Sequence, residues 1–113
     1  MIFKSALAAV VLLAACATGA PEPLCAATFS AEMVGMARER ARTQLENPAF
    51  GDNQLSGSVD YRGKQENREF RVFYFDFTAK SGAAKTAVVT VYLSGCYVEV
   101  SSRERVETIP SLI

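Results

Sequence analysis

The spacing of apolar positions along this chain changes period once. From Phe29 to Leu45, the residues Phe29, Met33, Met36, Ala37, Ala41 and Leu45 recur every three or four positions, the one-sided stripe of an amphipathic helix. Ser30 stands where an N-cap belongs and Glu32 falls in the first turn, where a carboxylate meets the positive helix end. Phe29 and Val34 occupy the positions of a hydrophobic staple. Asn47-Pro48 stops the pattern, because the residue before a proline is pushed out of the α region. The spacing predicts a helix over 30–46, about 25 Å long at 1.5 Å per residue. Gly35 in its middle either weakens it by ~1 kcal/mol relative to alanine or marks a close approach to a sheet.

After the loop 49–57 the period becomes two, and β-branched and aromatic residues dominate. Strands are expected at 57–62, 68–78, 85–94 and 96–102. The short polar connections between them make consecutive antiparallel hairpins, since a parallel crossover needs a dozen residues or more. The expected fold class is therefore α+β, one N-terminal helix packed on a four-stranded antiparallel meander sheet. Parity divides each strand. Arg71, Phe73, Phe75 and Phe77, then Ala87, Val89, Val91 and Leu93, then Cys96, Val98 and Val100 share the more apolar face, which should meet the helix. One helix covers only one face of such a sheet. The second face carries Phe70, Val72, Tyr74, Asp76, Val88, Thr90, Tyr92, Tyr97 and Glu99. Its tyrosines suit cross-strand pairing, and they are also what partner-binding surfaces contain, so Tyr74, Tyr92 and Tyr97 are the candidate partner-binding residues.

The N-terminus follows another logic. From Ser5 to Pro21 there is no charge, with Lys4 as a basic n-region and Ser5 to Leu13 as an apolar h-region. The run is about 17 residues, at the lower limit for a bilayer span, and no basic flank follows it. Leu13-Ala14-Ala15-Cys16 resembles the lipobox of bacterial lipoproteins. The resemblance implies acylation of the Cys16 thiol, cleavage before it, and anchoring of the mature N-terminus in a membrane. The sorting pattern of the lipoproteins it resembles, which keeps Asp after the cysteine at the inner membrane, implies with Ala17 the outer membrane, periplasm-facing; an ordinary secretory cut after Ala17 or Ala20, giving a soluble periplasmic or secreted protein, is the alternative. The expected division is a signal peptide at 1–15, a lipid-anchored tether at 16–24, an α+β domain at 25–107 and a frayed tail at 108–113, the charged stretch from Arg103 onward being read as loosely held.

With Cys16 assigned to lipid, Cys25 and Cys96 form an even pair in an exported domain, the default disulfide. Cys25 lies just ahead of the helix and Cys96 falls on the helix-facing side by parity, which favours this bridge over Cys16 with Cys25.

Composition narrows the chemistry. The chain has no histidine, which removes Ser-His and Cys-His nucleophile pairs, and too few thiols remain for a zinc site. No phosphate-binding or nucleophile-elbow motif occurs. Twelve basic and twelve acidic residues balance, and loss of 1–15 takes Lys4 with it, leaving a net charge of −1 that does not suit nucleic acid. Asp76 and Glu99 share the second sheet face but read as solvated charges; Arg38, Glu39 and Arg42, with Arg40 near the edge, read as the solvated polar side of the helix, contact with anionic lipid headgroups or an acidic partner being the alternative. No enzyme activity, cofactor or metal is expected.

The element order looks like the cystatin-like and NTF2-like shapes and several small outer-membrane lipoproteins. One of these is the small lipoprotein of the β-barrel assembly machinery, whose motif "VGM…L..P" at 34–48 echoes, although "QLSGS" at 54–58 does not match the cystatin hairpin. The leading expectation is a non-enzymatic lipoprotein that binds another envelope protein in an assembly or accessory role. An inhibitor or immunity protein acting through the loops 62–67 or 79–84, and a small-ligand carrier with an apolar cavity, are the alternatives.

Overall fold

The computed structural model describes residues 22–108; the expected signal peptide, Cys16 and the end of the tail lie outside them. A 3-10 turn at Glu22–Cys25 leads to helix α1 (Ala31–Leu45), then to 3-10 turns at Pro48–Asn53. Four strands follow, β1 (Leu55–Glu66), β2 (Phe70–Ala79), β3 (Ala84–Tyr92) and β4 (Tyr97–Glu104). They pair antiparallel in the order β1-β2-β3-β4, the meander that the short connections predict. Among the described residues no helix is long and apolar enough to cross a membrane.

The helix buries Met33, Ala37, Ala41 and Leu45, with Phe29 and Met36 packed at the margin. Ser30 takes the extended N-cap conformation, but its side chain makes no capping bond; its carbonyl accepts from Met33 N–H instead. A Cβ on Gly35 would meet nothing within 4 Å among the described residues. Close approach to the sheet therefore does not explain this glycine, and only its intrinsic penalty of ~1 kcal/mol remains.

The sheet face under the helix follows parity. Phe73 sits opposite Val89, which sits opposite Val100, and Phe75 opposite Ala87. Phe73, Phe75, Ala87, Val89 and Val91 are fully buried. Burying a phenylalanine is worth roughly 1.5–3 kcal/mol, so these rows dominate the core. Strand β1 is longer than expected. It runs on to Glu66 because a bulge between Tyr61 and Gly63 lets it follow β2, and Asn67 closes the hairpin by accepting from Glu69 and Phe70 N–H at 2.8 Å each. The loop expected at 62–67 is thus mostly strand.

Two further details differ from the pattern. Periodicity places Arg38 on the solvated side of the helix, yet its Nε donates to the Val59 carbonyl (3.2 Å) and its guanidinium lies 5.8 Å from the Phe75 ring centre. A long side chain reaches over the helix flank to cover a carbonyl on the edge strand. Leu24, at the end of the expected tether, is fully buried, and its 3-10 turn packs on α1 and β3. The folded unit therefore begins ahead of Cys25.

A clasp holds that N-terminal segment. Cys25 and Cys96 are disulfide-bonded. Cys96 is not in a strand, however; Gly95 (φ 89°) and Cys96 (φ 52°) both take the left-handed conformation in the loop between β3 and β4. The pairing stands, but the loop conformation, not strand alternation, delivers the thiol. Beside it, Arg71 is 1% exposed. Its guanidinium donates to Glu66 (2.8 Å), to the Leu24 carbonyl (2.8 Å) and to the Ala27 carbonyl (3.4 Å). Among the described residues no buried side-chain nitrogen or oxygen lacks a partner.

Burial pushes the Glu66 carboxyl up, but hydrogen bonds from Arg71 and Lys64 outweigh it and hold Glu66 below the ordinary value of 4.5. A depressed folded-state value means that this pairing stabilises the fold above that pH and is lost as the pH falls through the folded value. Acidification from about pH 5 to about pH 3 is expected to lower the urea midpoint of the wild type, with a shallower fall in Glu66→Gln. Parallel curves for the two proteins would refute this role.

Candidate functional site

The second face of the sheet divides into a covered end and an open end. At the covered end the chain after β4 folds back. Val106 N–H donates to Thr86 Oγ1 (3.1 Å), and Arg62 donates to the carbonyls of Val106 and Glu107. Arg105 donates to the carbonyls of Phe77 (2.8 Å) and Lys85 (3.1 Å). Asp76 anchors both arginines, at 3.3 Å from Arg62 and 3.4 Å from Arg105. Thr86 is fully buried as a result. Arg105–Glu107 are therefore pinned rather than loose, because Arg62 donates to carbonyls of the returning chain, Arg105 on that chain donates to carbonyls of β2 and β3, and Asp76 balances both guanidiniums. A polar cleft opens here, lined in part by Ser56, Ser58, Asp60 and Thr78. Its arginines already donate to the protein itself.

Tyr74 sits near this end and is only 4% exposed. Its hydroxyl donates to Gln65 (3.0 Å) from the extended part of β1, and burial pushes the phenol up. Of the three tyrosines marked by the sequence, Tyr74 is thus closed to a partner. Its neighbour across β3 is Val88, and Gln65 lies over it from the stretch that pattern alone places in a loop.

The open end holds the other two. Tyr92 lies opposite Phe70 on one side and opposite Tyr97 on the other, so three aromatic rings form one row across β2, β3 and β4. Phe70 meets Tyr92 edge-on at 5.2 Å, and Tyr92 stacks on Tyr97 at 4.4 Å with the rings 10° from parallel. Such contacts are worth about 0.5–1.5 kcal/mol each beyond area burial. Tyr97 is 48% exposed, the most exposed large hydrophobic residue described. The Tyr92 hydroxyl donates to Glu99 (2.7 Å), a bond that keeps the phenol protonated to higher pH than usual. The row is stiff, apolar across its faces, and tipped by one carboxylate.

No family model, curated protein or solved structure matches this chain. No neighbour bears on the cystatin-like or NTF2-like shape expected from the element order.

Asp76 and Glu99 do not form a carboxylate pair. Asp76 lies opposite Thr86 and Glu99 opposite Thr90, on strands separated by β3. Among the described residues no cluster of carboxylates and cysteines suits a metal ion. Arg42 pairs with Glu39 and Glu46 along the helix surface, an exposed arrangement of little energetic weight. Phe70 belongs to the aromatic row although it is not among the three candidate tyrosines. Parity placed it on this face, but only the register of β2 against β3 sets it beside Tyr92.

Proposed function

We propose that this chain is a small envelope lipoprotein, anchored through an acylated Cys16 at the periplasmic side of the outer membrane, that binds another protein without catalysing a reaction. The observation that carries the reading is the aromatic row Phe70–Tyr92–Tyr97, rigid and open on a sheet face that the chain's own helix does not cover. Aromatic residues that are already ordered lose little conformational entropy on binding, which is why they anchor interfaces. The core between helix and sheet is filled by Met33, Leu45, Phe73, Phe75 and Val89, each nearly or fully inaccessible, which favours a binding surface over a ligand-carrying cavity.

The test is made in intact cells expressing the full chain with a photo-crosslinking phenylalanine analogue at position 70 and fed labelled palmitate. The expected result is one discrete adduct that carries the label, is heavier than the chain, differs from twice its mass, and is lost with Tyr97→Ala. Cys16→Ser is expected to abolish the label. No adduct at position 70, or an adduct indifferent to Tyr97, overturns the binding face; a labelled Cys16→Ser protein overturns the anchor.

A further inference from the structure

Strand β4 is an edge of the sheet, and the alternation of its backbone can be read from one bond. Arg105 N–H donates to the Ala84 carbonyl. In an antiparallel ladder, hydrogen-bonded and non-bonded pairs alternate. Continuing the register of Lys85 with Glu104, the odd-numbered residues from Tyr97 to Arg105 therefore bond inward to β3. The N–H and C=O groups of Val98, Val100, Ser102 and Glu104 point outward, and among the described residues nothing hydrogen-bonds to them. An edge of this length is a template for another strand unless its side chains forbid pairing.

The side chains forbid some pairings and favour one. Consider a second copy of β4 laid antiparallel against the first. With Glu99 as the centre of symmetry, two glutamates face each other; with Arg103 as the centre, two arginines do. Like charges directly opposite are destabilising. With Ser101 as the centre, Glu99 of each copy faces Arg103 of the other, giving two complementary pairs related by the two-fold axis. Glu99 and Arg103 are exposed on the same sheet face, and among the described residues Arg103 has no carboxylate partner. In this register Val98 faces Glu104 and Val100 faces Ser102, and these four outward-pointing positions become the hydrogen-bonded pairs. The Ser101 and Glu99–Arg103 positions become the non-bonded pairs, in which side chains approach most closely.

From this complementarity we infer that β4 is a self-association edge, through which two copies of the chain join their sheets into one of eight strands with both helices on the same side. The contact is isologous, as closed dimers require. It adjoins the aromatic row at Glu99, which accepts from Tyr92, while Phe70 at the far end of the row lies two strands away on β2.

The register is tested by a single cysteine at its centre. In a non-bonded antiparallel pair the Cα atoms lie about 4.5 Å apart, within the roughly 4.4–6.8 Å that a disulfide spans. In the full exported chain, Ser101→Cys is expected to give a disulfide-linked band at twice the chain mass on a non-reducing gel, with Cys25–Cys96 intact. Ser58→Cys, exposed on β1 of the same face, is expected to remain single. Glu99→Arg in the Ser101→Cys background should lower the linked fraction about tenfold, and adding Arg103→Glu should restore it. A Ser101→Cys protein that folds, shown by its native bridge, yet stays single overturns the inference. So does linkage that is equally efficient at Ser58→Cys, that ignores the charge exchange, or that joins a protein of another mass. The position-70 adduct is read independently, so either result can fail alone.

Discussion

Arg71→Ala is expected to lower the unfolding free energy by about 3 kcal/mol, with the urea midpoint falling and the denaturant slope unchanged. The guanidinium is essentially inaccessible and bridges Glu66 on β1 to the carbonyls of Leu24 and Ala27 ahead of the helix. Removing it leaves buried acceptors without donors, and breaking a buried pair costs roughly 3–5 kcal/mol. The lower end applies because the Glu66 side chain is 32% exposed and regains water when released. Arg71→Met separates the contributions, since it keeps the aliphatic stem and loses every donor. A methionine variant as stable as wild type would show that the stem packing matters and the hydrogen bonds do not.

The double variant Cys25→Ser/Cys96→Ser is expected to lose about 4 kcal/mol, the upper figure from chain entropy for a loop of this length. The bridge spans a separation of 71 residues and ties the start of the fold to the β3–β4 loop. For a domain of this size that is a large share of total stability. Because Arg71 grips the carbonyls on both sides of Cys25, the two clasps hold one segment. Combining Arg71→Ala with the double serine variant should therefore cost less than the separate losses together, by about 1 kcal/mol or more. Strict additivity in urea titrations would mean that the clasps act independently. A double serine variant within about 1 kcal/mol of wild type would show that the bridge constrains little.

The helix and the buried sheet face were legible because their causes are local. Met33, Ala37, Ala41 and Leu45 must share a side at 3.6 residues per turn, and Phe73, Phe75, Val89 and Val100 must share one at period two. Arg71 was legible as a member of the helix-facing set, but its partners were not, since the carbonyls of Leu24 and Ala27 lie far away in sequence. The disulfide partners follow from the thiol count and from parity, yet Cys96 sits in a left-handed turn that strand alternation does not show. The candidate site was legible in part. Tyr92 and Tyr97 occupy the open face, whereas Tyr74 shares their parity and is closed.

What the sequence determined by itself was the one α-helix and the four strands, their order, and the two-sidedness of each, because backbone geometry imposes both periods on any chain. The tertiary structure decided which polar-face residues remain open. That depended on contacts distant in sequence. The bulge at Tyr61–Gly63 carried β1 on toward Glu66 and placed Gln65 against Tyr74, and the chain after β4 returned over Thr86. Register then set Phe70, Tyr92 and Tyr97 in one row and, among the described residues, left the outer edge of β4 unpaired. Parity assigns a side chain to a face; only packing decides whether that face is covered.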